Sequence, residues 1–420
     1  MIQILNLPLH LIHQGIQKSR KLWVRVMLFG LLAIAGLGLA RLGTLFLPDK
    51  LTASVDIASV DRLLNIISNS MLAVTTFSLT VMVSVYRATS TQWTPRIHRL
   101  MLEDKTTQNT LATFIGAYVY ATVGIVLRET GYFNNDHAFL IFYLTVVVMA
   151  IVVVYIIRWT LHLQTFGSLI DTAYQVEDIT TKRLIERLDL PCLGGRPLSD
   201  VPTGAESVQA RVTGYIQFIY ADQLQKIAAS NNTEIFVTRD VGSFVMAGDV
   251  IAYVHGAVAD ADKIADAIVL GNLRSYEQDP RFGLLVMGEM ASKALSPGIN
   301  DTGTAIDVMT RLTKILCLFR DETHCAKDAK YSRVYVRKMD AAELIDAGFG
   351  TLARDGAGLI EVQIRLQKAI RSLATHGDAA MQAAASDFSA STFQRASEAM
   401  TFEGDRVRLE KVVHPDGGQP

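Results

Sequence analysis

Four stretches of this chain are long and apolar enough to cross a lipid bilayer, and all four lie before residue 160 of 420. Crossing a hydrocarbon core of about 30 Å takes roughly 20 apolar residues in a helix. The stretches run from about Val26 to Leu47, Leu63 to Tyr86, about Leu111 to Leu127, and Ala138 to Ile157. The last three hold no charged residue. Arg41 lies near the end of the first, where it can snorkel to the headgroups. The first stretch lies too deep for a cleaved signal peptide, and no small-residue cleavage site follows it promptly.

Lys/Arg asymmetry in short flanks orients such a chain. Lys18, Arg20, Lys21 and Arg25 precede the first span, and Arg87, Arg96, Arg99 and Lys105 lie between the second and third. The opposite side carries Lys50, Arg62 and Arg128, with Arg41 at its edge, among Asp49, Asp56, Asp61, Glu129 and Asp136. Both termini are therefore expected in the cytoplasm. A formal net charge of −1 supplies no basic field for nucleic acid. The three cysteines, Cys192, Cys317 and Cys325, form no CxxC and no zinc-spaced cluster with histidine. A disulfide scaffold, a bound metal and a cofactor are all unexpected.

The rest reads as soluble. Residues 158–190 look like one helix leaving the membrane, and the Pro/Gly cluster from Pro191 to Pro202 marks a boundary. From Glu206 the period is two: Val208, Ala210 and Val212 alternate, then Tyr215–Ile219 and Glu234–Thr238 read as strands. Helical spacing returns with Ile264, Ile268 and Leu273, then Phe282–Leu295, Ala305–Phe319 and Ala341–Ser372. From about Thr375 the chain is Ala/Ser-rich with weak periodicity, and the end of that stretch is expected to be a poorly ordered tail. The expected plan is a cytoplasmic N-terminal segment (1–21), a four-helix transmembrane domain (22–158), a membrane-exit helix and linker (159–195), a β-rich module (196–256), a helical module with a Ser-Pro-Gly-Ile-Asn-Asp corner (257–320), and a C-terminal helical region and tail (321–420).

No phosphate-binding loop, HExxH, GxSxG or EF-hand motif is present. Within the second span, Asn65, Asn69, Thr76, Thr80, Ser84 and Arg87 share one helix face. Such a face lines water in a conduit. Alternatively, Ser and Thr bond back to their own helix and Asn ties helices together. Small residues at spacing four, Gly36/Ala40, Ala112/Gly116 and Ala117/Ala121, allow close helix packing within or between chains. His10 and His13 could form half a metal site, but a solvated helix turn explains them better.

Val241–Val254 has the form VGxFVxxGDxIxxV, with Gly242 and Gly248 at tight turns. It is similar to half of a biotinyl/lipoyl-type barrel-sandwich unit. The modifiable lysine of such carriers is missing, since the next lysine is Lys263. Further on, Arg274, Gln278, Asp279 and Arg281 precede a helix whose polar face holds Glu289, Ser292, Lys293 and Ser296, with Glu289 and Lys293 spaced to pair. Ser296-Pro-Gly298 stops that helix, and Asn300, Asp301, Thr302 and Thr304 are all good caps for the next. The corner is either a capped turn or a ligand site made of Arg274, Gln278, Asp279, Lys293, Ser296, Asn300, Asp301 and Thr304. No nucleophile–base pair stands out, so catalysis is not expected.

The segment Leu284–Leu312 resembles a family of bacterial predicted integral membrane proteins of unknown function, whose members carry an ALSPGIND signature after a QD--FG element. The matching residues are Gln278, Asp279, Phe282, Gly283 and Ala294–Asp301, with Thr302 where proline is usual. Phe77–Leu79, Trp93–Arg96, Gly214–Gln217 and Gly242–Val245 match upstream. The resemblance implies a bacterial inner-membrane protein with four spans and implies no activity. The expected fold is an α-helical polytopic membrane domain followed by a cytoplasmic α+β domain with a small barrel-sandwich-like β-module and helices. The expected role is a homo-oligomeric, channel-like conduit or its regulator, with the bilayer as partner. The alternative is a membrane-anchored sensor or scaffold that binds an unknown ligand and transports nothing.

Overall fold

The computed structural model describes residues 22–43, 56–90, 94–97, 104–132, 138–256, 260–323 and 329–414. The pairing of His10 with His13, the end of the first apolar stretch at Leu47, and the tail beyond 414 lie outside these residues. Two compact units divide at about residue 172.

The first unit consists of helices α1 (Leu22–Gly43), α2 (Ile57–Ser90), α3 (Lys105–Glu129) and α4 (Ala138–Leu163). Among the described residues three helices are long and apolar enough to cross a membrane: α2 over Ile57–Ala88, α3 and α4. Helix α3 is central, with Leu111, Phe114, Ala117, Tyr120 and Ala121 buried. Its small residues Ala112, Gly116, Ala117 and Ala121 are all buried inside the chain, so their spacing serves packing within one molecule. Thr145 donates to the Ile141 carbonyl at 2.6 Å, so the Tyr120 hydroxyl, 2.9 Å from Thr145 Oγ1, is the donor between α3 and α4. Helix α2 turns Val60, Leu64, Ile67 and Met71 into the same core.

The expected single helix over 158–190 is two helices. Helix α4 stops at Leu163, and α5 runs Leu169–Asp189. Between them Gly167 adopts φ +85°, a left-handed conformation that ends a helix. Phe166 folds back, its N–H donating to the His162 carbonyl at 3.0 Å and its ring lying 5.1 Å from the His162 ring.

The second unit holds two sheets over a shared core. Strands β1 (Arg196–Pro197), β2 (Glu206–Gln209), β4 (Glu234–Val237), β6 (Val250–His255) and β8 (Val334–Val336) form a sheet of order β1-β8-β4-β6-β2. Strands β3 (Gly214–Ile219), β5 (Phe244–Val245) and β7 (Ile268–Gly271) form one of order β5-β3-β7. Ile216, Leu224, Val237, Ile251, Ile264 and Val334 close the core between them. Gly242 and Gly248 have φ +87° and +93°, the turns expected of them. The strands beside these glycines part company: β5 pairs with β3, and β6 with β2 and β4.

Helices complete the unit: α6 (Ala221–Asn231), α7 (Ala261–Asp266), α8 (Pro280–Ala294), α9 (Thr302–Leu316), α10 (Ala341–Asp355), α11 (Ile360–His376), α12 (Ala379–Ala399) and α13 (Glu403–Val413). Two strands correct the sequence reading. The helical segment expected over Ile264–Leu273 is a short α7 followed by strand β7, whose Ile268-Val269-Leu270 run pairs with β3. Strand β8 was expected in a helical region. The Ala/Ser-rich stretch is an ordered 21-residue helix, α12, capped by Asp378. Its buried stripe is Met381, Ala385, Thr392 and Ala396. A stripe of small side chains carries the helical period with almost no hydropathy contrast.

Candidate functional site

Two places concentrate polar groups, and the structure treats them in opposite ways. The first is the polar face of α2. Asn65, Asn69, Thr76, Thr80 and Ser84 are all exposed on the single chain. The face therefore does not look into the chain's own helix bundle, because the apolar face opposite occupies that side. The Thr76 hydroxyl donates to the Leu72 carbonyl at 2.8 Å, and that of Thr80 to the Thr76 carbonyl at 2.9 Å. Asn65 Nδ2 donates to the Asp61 carbonyl at 2.9 Å. These three groups are satisfied by their own helix. Among the described residues nothing hydrogen-bonds the Asn69 amide, and no helix is tied to another by an asparagine of this face.

The second place is the segment from Arg274 to Thr304, and α8 splits it. Fifteen helical residues span about 22 Å. Arg274, Gln278 and Asp279 stand at one end of α8, whereas Lys293, Ser296, Asn300, Asp301 and Thr304 stand at the other, so they do not form one site. At the first end Asp279 is buried and caps α8, accepting from Phe282 N at 3.1 Å. Arg274 grips the same carboxylate through Nε at 2.6 Å and Nη2 at 3.2 Å. The pair lies on Gly242, where a Cβ would stand 2.0 Å from Asp279 Oδ2. Gln278 accepts from Ile219 N at 2.8 Å and donates to its carbonyl at 3.3 Å, as a further strand would. Gly283 lets α5 approach, since a Cβ there would stand 1.9 Å from Thr180 Oγ1.

At the other end the corner satisfies itself. Asp301 N donates to the Ala294 carbonyl at 2.8 Å, Asn300 N to the Ser296 carbonyl at 2.8 Å, and Ser296 Oγ to the Lys293 carbonyl at 2.7 Å. Asn300 takes the left-handed φ of +53° that turns the chain. Asp301 caps α9, accepting from Thr304 N at 2.9 Å and from the Thr304 hydroxyl at 2.5 Å. Those two bonds hold its carboxyl below the ordinary aspartate range. Lys293 makes no ion pair among the described residues, so the pair expected with Glu289 does not form.

Sequence reasoning missed a cleft beside Gln278 and Asp279, lined also by Arg187, Asp240, Arg281, Arg337 and Glu343. Its charges are mutually engaged. Arg281 binds Glu343, and Arg337 lies 3.0 Å from Asp240. Burial pushes the Asp240 carboxyl up, with Arg337 and Arg281 opposing. Arg187 holds the buried Glu322 through Nε at 2.6 Å and Nη2 at 2.8 Å. Glu322 also accepts from Cys192 N at 3.1 Å and Met339 N at 2.8 Å. Partners 135 residues apart leave no local signal to find.

The family described as "Predicted membrane protein (DUF2254)" matches residues 19–372. The chain belongs to that family. Among curated proteins, uncharacterized proteins of Mycobacterium bovis and of Mycobacterium tuberculosis are 28% identical to it over 260 residues. The match covers 57% of this chain and 48% of each relative, so the chain spans about half the length of those curated relatives. No solved structure matches it. The QD--FG and ALSPGIND elements of this DUF2254 chain are thus, in the geometry above, devices of cap and close approach.

Proposed function

We propose that this DUF2254 protein is a homo-oligomeric conduit of the bacterial inner membrane, with α2 lining the path. In this reading α1 is the fourth span, both termini are cytoplasmic, and the sheet-containing unit is a cytoplasmic regulator with no catalytic role. The Lys/Arg asymmetry supports the orientation.

One observation carries the proposal: α2 turns its polar face away from its own bundle, and among the described residues the Asn69 amide there has no partner. An amide unpartnered in hydrocarbon costs several kcal/mol. Copies of the chain around an axis, or water held between them, supply what lipid cannot. Single cysteines at 69, 76 and 80, in a background without Cys192, Cys317 and Cys325, test this in membranes. Labelling by a water-soluble thiol reagent at those positions, with protection at 71 and 74, is the expected result. Uniform protection along α2 removes the conduit.

The cleft favours a second reading, an anchored sensor that moves nothing. Under it, liposomes carrying the protein conduct no ions, and a small ligand raises the melting temperature of wild type but not of Arg337→Gln.

A further inference from the structure

We propose that Leu72 and Ala73 form an apolar collar that shuts the path along α2 at mid-membrane. This inference rests on the conduit reading above and names how that path is regulated. Asn65, Asn69, Thr76, Thr80 and Ser84 follow one another at spacings of four, seven, four and four. A helix returns to one face every three or four residues, so this face shows a polar group at each turn except one. Leu72 and Ala73 fill that turn, three and four residues after Asn69 and four and three before Thr76.

Leu72 and Ala73 are both exposed on the single chain, Leu72 by 52%, while Met71 and Thr75 beside them are buried. The collar thus turns outward with the polar face. It also falls at the centre of the membrane-length stretch Ile57–Ala88, the depth at which a charge is costliest. Its backbone offers an ion little. The Thr76 hydroxyl donates to the carbonyls of Leu72 and Ala73, at 2.8 and 2.9 Å, so both acceptors are already engaged.

From Asn69 to Thr76 the face rises about 10 Å, and between them it carries no hydrogen-bonding side chain. Copies assembled around α2 gather these residues into a ring. Water in such a ring finds few partners on the wall and leaves it, and an ion cannot cross without shedding its own shell. The asparagines on one side and the hydroxyls on the other wet the two half-paths that lead to it. A rotation of α2 that withdraws Leu72 opens the ring and leaves those polar groups to line it.

The test is the current through the purified full-length protein in a planar bilayer under symmetric KCl. Wild type should be shut for most of the record. Leu72→Ser should raise the mean current several-fold while assembling to the same oligomer size, and Leu72→Met, which stays apolar, should behave as wild type. In the background without native cysteines, Leu72→Cys should stay mostly shut until a charged thiol reagent is added, and should then open. That modification acts on protein already folded and inserted, so misfolding cannot mimic it. A correctly assembled Leu72→Ser with no more current than wild type overturns the collar and leaves the conduit standing. So does a Leu72→Cys current that is unmoved once mass spectrometry shows the label in place. Leu72→Met opening the path as far as Leu72→Ser also overturns the collar, because apolarity would then not be what shuts it. No current from any form overturns the conduit and the inference with it.

Discussion

The polar face of α2 and the Arg274–Thr304 segment are both dense in Asn, Thr, Ser and charge, yet their polar atoms have opposite fates. In the sheet-containing unit most of them are consumed: Asp279 by Arg274 and a helix start, Gln278 by Ile219, Asp301 by Thr304. On α2 the asparagine farthest from either end of the face is left over among the described residues, in a helix apolar enough to cross a membrane, where an unpartnered amide is costly. Polar density alone does not mark a site. The useful question is which donors and acceptors remain after the fold has taken its share.

Four measurements would break or sharpen that contrast. The largest effect belongs to the buried pair. Glu322→Ala leaves the buried Arg187 guanidinium without its counter-ion, held only by the Arg337 carbonyl, and should cost about 3–5 kcal/mol, read by denaturant unfolding. A cost below 1 kcal/mol would mean the sheet-containing unit holds its charges less tightly than its geometry says. Next comes Gly283→Ala, whose methyl would collide with Thr180 between α5 and α8. Overpacking of this kind costs about 1–3 kcal/mol, and Gly283→Ala combined with Thr180→Ala should recover part of it.

The Asp301 cap is smaller. Asp301→Ala should cost about 1 kcal/mol, and Asp301→Asn only a few tenths, because asparagine caps about as well. The sign with pH follows from the depressed carboxyl. Its contribution is fully present above the unfolded aspartate value near 3.9 and is lost as pH falls through the lower folded value. Asp301→Asn should flatten that part of the acid limb. If Asp301→Asn instead abolishes function in a stably folded protein, the corner is a site after all. The smallest stability effect is expected on α2. Asn69→Leu should shift unfolding by no more than about 0.5 kcal/mol, while altering conductance. A large loss of stability there would mean that Asn69 ties helices together.

What was legible in the chain followed from local rules. Three apolar stretches became membrane-length helices, and Asp301 and Gly242 did what a cap and a turn glycine do. The polar face of α2 was visible as a face, but a face does not say which way it points. That needed the packing of α3, which takes the apolar side of α2 instead. Ile264 and Ile268 sit four apart across a helix–strand junction, and that coincidence hid β7. Strand β8 is only Val334-Tyr335-Val336, too short to show a period. Helix α12 was hidden by the smallness of its buried residues. Gly167 was a readable stop that the run of aromatic and apolar residues before it obscured.

Strand β8 also sets an order in time. It lies between β1 and β4, parallel to both, although β1 ends at Pro197 and β8 begins at Val334. On a ribosome adding about 5–20 residues per second, β1 and β4 emerge on the order of ten seconds before the strand that joins them. During that interval each presents an open edge able to pair with a neighbouring nascent chain. Three residues synthesised late end the exposure. Pausing translation just before Val334 should therefore raise aggregation of the sheet-containing unit more than pausing just after Val336, once the exit tunnel is cleared.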